Sequence, residues 1–138
     1  MNIRTAVKKD WHDLIKIYNH AVDERYCTAD TTHATIEEKS DWLNQHSETS
    51  YPIFIIEMNG KAAGWCSLSP YRKGRQALRT VAEISYYVHK DYRGIGLANN
   101  LISHALEKSI DLEFKNLIAI LLELNKTSIY LLEKFGFV

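Results

Sequence analysis

The segment Arg93-Gly94-Ile95-Gly96-Leu97-Ala98 lies between a β-branched, aromatic run and an amphipathic stretch. A strand that passes through glycines into a helix N-terminus presents unpaired backbone N–H groups and the positive end of the helix dipole, which together attract anions. Gly94, Gly96 and Ala98 carry little or no side chain, so a phosphate could approach the backbone, and Arg93 adds a fixed positive charge. The competing explanation is a tight strand-to-helix connection whose glycines only relieve strain. Upstream, Glu83, Ser85 and Tyr87 share one face of the preceding strand by its two-residue period. Arg72, Arg75 and Arg79 cluster in the connector before that strand, where a guanidinium could orient a substrate carboxylate or simply be solvated.

The elements that must hold these residues are legible from periodicity. Asn2–Val7 reads as a strand, and Asp10 stands at an expected N-cap before a helical stripe of Trp11, Leu14, Ile15, Tyr18, Ala21 and Val22. Residues 23–34 have no clear period and read as a loop. Thr35-Ile-Glu-Glu38 is a capping box opening a helix with Trp42 and Leu43. Ile53–Glu57, the Asn59-Gly60 turn and Gly64–Ser67 form a hairpin. Thr80–Val88 is a strand, and Leu97, Leu101, Ala105 and Leu106 mark the helix after the glycine loop. Leu117–Leu124 is an apolar strand, and Ser128–Phe135 is a helix stopped at Gly136. Trp11, Trp42 and Trp65 are expected to fill core.

Residues 1–138 therefore read as one α/β layered domain. A new strand would begin at Gly136-Phe137-Val138, directly after a helix. The expectation is a C-terminally incomplete domain, or one completed by a partner in a homodimer.

The 17 Lys and Arg balance the 17 Asp and Glu, which opposes nucleic-acid binding. Cys27 and Cys66 form no CxxC pair or disulfide framework, and the six histidines show no metal-ligand spacing, so no metal is expected. The N-terminus lacks the apolar core of a signal peptide and the longest apolar runs fall far short of about 18 residues, so the expectation is a cytoplasmic protein with no membrane partner.

Three phosphate-binding patterns compete for the loop. A P-loop needs Gly followed by Lys and Ser or Thr, which are absent. A dinucleotide fingerprint needs a third glycine, where Asn99 stands, after the first strand of a βαβ unit. The third pattern, Arg-x-x-Gly-x-Ala, is matched by Arg93, Gly96 and Ala98 and resembles the pyrophosphate loop of the GNAT acetyltransferases. Glu83-Ile-Ser85-Tyr-Tyr87-Val88 resembles a strand of their phosphinothricin acetyltransferase-like branch. Asn125–Phe137 resembles the branch's following helix, and Ser69–Ala77 its basic connector.

The resemblance implies a GNAT fold, with a mixed central sheet flanked by helices and the last strands missing here. It implies an N-acetyltransferase that uses acetyl-CoA on a small amino-acid-like amine of the phosphinothricin or methionine-sulfone type, with Glu83 as general base. Arg93, Gly94, Ile95, Gly96, Leu97 and Ala98 would hold the pyrophosphate. Backbone groups of Tyr87, Val88 and His89 would hold the pantetheine arm, with the Val88 N–H as oxyanion donor. Asn125 and Ser128 would also face the cofactor, and Arg72, Arg75 and Ser85 the acceptor. Position 132, usually a Tyr or His that protonates the leaving sulfur, is Leu132, placed by the helical repeat on the face of Asn125 and Ser128. The alternative is a CoA-binding module that has lost catalysis.

Overall fold

The computed structural model describes residues 1–24, 30, 32–47, 49–71, 80–120 and 125–138. The chain runs β1 (Asn2–Thr5), α1 (Trp11–Glu24), α2 (Ile36–Asn44), β2 (Ile53–Met58), β3 (Lys61–Pro70), β4 (Val81–Val88), α3 (Leu97–Asp111), β5 (Asn116–Ile118) and α4 (Lys126–Lys134). The five strands form one sheet in sequence order, antiparallel except for the parallel β4–β5 pair. This is the mixed, helix-flanked sheet that the sequence implied.

Strand alternation separates two cores. Ile53, Ile55 and Trp65 face Leu14, Ile17, Tyr18 and Leu43 of α1 and α2. Phe54, Ile56, Cys66, Leu68 and Ile84 face Leu97, Leu101 and Ala105 of α3. β2 is buried at four consecutive positions because both its faces are covered. A Cβ on Gly64 would lie 3.0 Å from the Tyr87 carbonyl oxygen and 3.3 Å from Leu101, so α3 packs this closely only against a glycine. The Trp65 indole N–H donates to the Leu14 carbonyl at 3.0 Å, tying α1 to β3.

The local signals behaved unevenly. Thr35 caps α2, its hydroxyl oxygen accepting from the Glu38 N–H at 3.2 Å. Asn59 and Gly60 both take positive φ in the β2–β3 turn. α1 extends through Glu24, two residues into the expected loop, and β5 is described only as Asn116–Ile118, residues 121–124 lying outside the described residues. Cys66 is buried, and Cys27 lies outside the described residues.

Asp10 does not cap α1. It closes a 3-10 turn at Lys8–Asp10, accepting from the Val7 N–H at 2.8 Å and from two Arg4 guanidinium nitrogens at 2.8 Å each. The Arg4 hydrogen bond holds its carboxyl below the usual range despite burial. A depressed carboxyl contributes stability above its unfolded value, about 3.9, and loses it as pH falls through the folded value. Asp10→Ala should therefore lower stability at pH 7 by about 1–3 kcal/mol, leaving the Val7 N–H unpaired. In urea titrations, the gap from wild type should narrow as pH falls below about 4.

Candidate active site

Among the described residues β4 pairs with β5 from Val81 to Glu83 and continues to Val88. A cleft of about 310 Å³ opens between β4, the N-terminus of α3 and α4. Register decides which backbone groups face it. The His89 N–H donates to the Ala63 carbonyl at 2.8 Å, and Trp65, Ser67 and Ser69 stand opposite Tyr87, Ser85 and Glu83. Alternate pairs of an antiparallel ladder exchange hydrogen bonds. Glu83, Ser85, Tyr87 and His89 therefore turn their backbone groups toward β3, whereas Tyr86 and Val88 turn theirs toward the gap.

The Val88 carbonyl confirms this direction by accepting from Arg93 Nε at 3.2 Å. Its N–H points the same way. The backbone roles expected of Tyr87 and His89 are thus corrected: the His89 N–H is taken by Ala63, and register turns the Tyr87 backbone toward β3. The His89 ring lies outside the cleft, stacked edge-on to His20 at 4.4 Å. Sequence reasoning missed Tyr86, because the hydrogen-bond parity of β4 depends on its register with β3, which no local signal sets.

At the cleft's far end Gly94 and Gly96 take φ of +81° and +85°, and a Cβ on either would meet nothing within 4 Å. Glycine is required by conformation, and the space beside both is open. Gly96 caps α3 without a side-chain hydrogen bond, and the first carbonyl–amide bond of that helix runs from Asn100 N–H to the Gly96 carbonyl. The N–H groups of Leu97, Ala98 and Asn99 thus lack intrahelical partners at the cleft wall. Ile95 is 56% exposed and does not line the cleft. Arg93 lines it, but its guanidinium pairs with Glu24 at the end of α1. The charge expected to meet an anion is already partly balanced by Glu24.

Asn125 lies at the opposite wall and is 6% exposed. It is the N-cap of α4, its Oδ1 accepting from the Ser128 N–H at 3.3 Å. This corrects the predicted helix face. An N-cap has non-helical dihedrals, here φ −84° and ψ 68°, so the 100° repeat cannot be counted from it. The cleft face holds Thr127, Ser128 and Leu131, which centres it near Leu131 and leaves Leu132, about 100° further round the helix, off that face. Leu132 is 3% exposed and packs behind the helix in a second cavity with Leu106, Phe114, Ile129 and Phe137. Leu132→Tyr should therefore add no proton donor to the cleft. Turnover, read as thiol release, should stay unchanged while overpacking lowers stability by about 1–3 kcal/mol.

Glu83 does not line the cleft. It faces a separate cavity of about 170 Å³ between β3, β4, α1 and α2, and Ser85 and Tyr87 line both spaces. Trp65 is buried in the core as expected, with Trp11 and Trp42 packed against it, and Trp42 and Trp65 also border this cavity, their ring centres 5.8 Å apart. Tyr87 packs on Trp65 at 4.8 Å and edge-on to Tyr18 at 5.2 Å. Burial beside these rings pushes the Glu83 carboxyl up. Burial, then the nearby Tyr18 and Glu83, pushes the Tyr87 phenol up, keeping it protonated. Arg72 and Arg75 lie outside the described residues. Among the described residues, no group of three or more His, Cys, Asp or Glu could hold a metal ion, and no helix is long and apolar enough to cross a membrane.

A cleft with a helix N-terminus at one end and a splayed strand along its side, beside a cavity holding one half-buried carboxylate, suits transfer of a group from a phosphate-bearing carrier. Residues 11–137 match the model of the Acetyltransferase (GNAT) family. The chain is 36% identical to "Putative phosphinothricin acetyltransferase YwnH" of Bacillus subtilis (strain 168), over 99% of this chain and 83% of that protein. It is 31% identical to the L-amino acid N-acyltransferase MnaT of Escherichia coli (strain K12), over 100% of this chain and 80% of that protein. The fold is similar to that of the GNAT superfamily phosphinothricin acetyltransferase Pat from Sinorhizobium meliloti in complex with acetyl-CoA. That match has a TM-score of 0.89 at 26% identity, covering 98% of this chain and 73% of that one. On its family match and its sheet, this chain belongs to the GNAT acetyltransferases.

Proposed function

We infer that the protein moves the acetyl group of acetyl-CoA to the primary amine of a small amino-acid-like substrate, with Glu83 as general base. The observation that carries this reading is the division of the site: a cleft with backbone donors and a cavity with one carboxylate, joined at Ser85 and Tyr87. The names of the relatives, a phosphinothricin acetyltransferase and an L-amino acid N-acyltransferase, support the acceptor class.

The residues fit acetyl-CoA. The open space at Gly94 and Gly96 and the N–H groups of Leu97, Ala98 and Asn99 would take a pyrophosphate. The gap-facing backbone of Tyr86 and Val88 would pair with an extended amide arm, and Asn125 Nδ2, the half of the amide not engaged in capping, would donate to it. Bound acetyl-CoA supplies an activated acyl group whose carbonyl oxygen gains negative charge under attack.

The gap-facing Val88 N–H would donate to that oxygen as the charge develops. Glu83 would take a proton from the incoming ammonium, and its raised pKa makes it a stronger base than an exposed carboxylate. On the α4 wall, the groups nearest to an acid are the hydroxyls of Thr127 and Ser128, both poor proton donors. A thiol of pKa about 8.5 can leave as thiolate and be protonated by water.

Calorimetry with acetyl-CoA, followed by a thiol-release assay across amino-acid-like amines, tests the reading. Saturable binding with amine-dependent release is the expected result. Binding with no release from any amine would leave a CoA-binding module and end the transferase reading.

A further inference from the structure

The acceptor cavity carries one charge of each sign among the described residues: Glu83 on β4 and Lys39 on α2. The rest of its wall is apolar or aromatic apart from Ser69 and Ser85, with Leu14, Ile15 and Tyr18 from α1 facing Trp42 and Leu43. An amine delivered to Glu83 arrives as an ammonium, and a second cation at the same cavity repels it unless the ligand also brings an anion to meet that cation.

Among the described residues, Lys39 is held only loosely by its neighbours. Its Nζ is 3.8 Å from Asp30 Oδ2, beyond hydrogen-bond distance, and 5.3 Å from the centre of the Tyr18 ring. Its side chain is 37% exposed and Asp30 is 50% exposed, so this pair is weak and its ammonium can be recruited by a better-placed anion. Tyr18, beneath Lys39, donates its hydroxyl to Asp30 and packs on Tyr87, which borders the cofactor cleft. The cation therefore stands over an aromatic floor that leads to the reacting end of the site.

We propose that Lys39 is a specificity-determining residue that binds the α-carboxylate of a free amino-acid acceptor, whose uncharged side chain rests on the Trp42 and Trp65 wall. This rests on the transferase reading above. It assigns the carboxylate contact to α2, and it narrows the acceptor class. A cavity of about 170 Å³ is close to the volume that takes up benzene in an engineered core, which suits an apolar side chain of thioether or aliphatic size.

The test compares two probes that differ only by the carboxylate: L-methionine and 3-(methylthio)propylamine. With the full chain and saturating acetyl-CoA, thiol release gives kcat/KM for each. Wild type should favour L-methionine by at least about tenfold, the worth of one charge-assisted hydrogen bond at a partly exposed site. Lys39→Gln should lower that preference about tenfold, with the loss in KM for L-methionine rather than in kcat, and Lys39→Arg should restore most of it.

An unchanged preference in Lys39→Gln would overturn the assignment, as would equal losses on both probes. Acetylation of the propylamine but not of L-methionine by wild type would overturn it while leaving the transferase reading intact. Release from neither probe, nor from any other amine, would overturn both.

Discussion

Glu83→Gln is expected to reduce kcat for acetyl transfer by about 10²- to 10⁴-fold, the usual contribution of a positioned general base, with the dissociation constant for acetyl-CoA unchanged. The separation follows from geometry, because Glu83 faces the acceptor cavity and not the cofactor cleft. Single-turnover thiol release and calorimetry on the same variant check both halves. A loss of acetyl-CoA affinity equal to the loss in rate would show that the substitution had disturbed the cleft, not removed a base.

The same carboxylate, as the proposed base, should set the pH dependence. Burial raises its pKa, so the active, deprotonated form is lost as pH falls through that raised value, and kcat/KM should decline on the acid side earlier than for an exposed glutamate at about 4.3. Stability moves oppositely. A carboxyl raised on folding favours the folded state below its unfolded pKa, and that advantage disappears as pH rises through the folded value. Glu83→Gln should therefore melt above wild type at pH 8, with the difference shrinking toward pH 4. A variant less stable than wild type at pH 8 would contradict burial as the cause. Such an exchange of stability for activity is common where an active site holds an unfavourably solvated group.

The second large effect should come from the glycine loop. Gly96→Val is expected to weaken acetyl-CoA binding about 10- to 100-fold, equivalent to one charge-assisted hydrogen bond of about 1.5–3 kcal/mol. The added side chain would occupy open space beside the N-terminus of α3, where an anion would approach the backbone. A β-branched residue at φ +85° also strains the backbone, by roughly 1–2 kcal/mol. Gly60→Val provides the control. Gly60 has φ +76° and equally open surroundings, but sits in the β2–β3 turn. Both variants should lose similar stability in urea titrations, and only Gly96→Val should lose acetyl-CoA affinity. Equal affinity losses would mean that strain alone accounts for the effect.

Sequence alone determined the parts whose causes are local. The Thr35 cap, the Asn59-Gly60 turn, the two-residue period of β4 and the glycine-bearing entry to α3 each depend on a few adjacent residues, and all are present. The family motifs added what those residues do together. Tertiary structure decided the rest, because it turns on partners distant in the chain. Arg93 is paired by Glu24, 69 residues away, which no loop motif could show. Tyr86 and Val88 face the gap because β3 fixes the hydrogen-bond parity of β4, and Tyr87 and His89 are excluded from it for the same reason. Leu132 faces away from the cleft because α4 docks with Leu131 toward it, and Leu132 lies about 100° further round the helix. Glu83 and Lys39 share one cavity because α2 folds across β3 and β4. Short-range sterics and capping act within a few residues and are written in the sequence, whereas charge pairing, ladder parity and cavity walls exist only once separate elements pack.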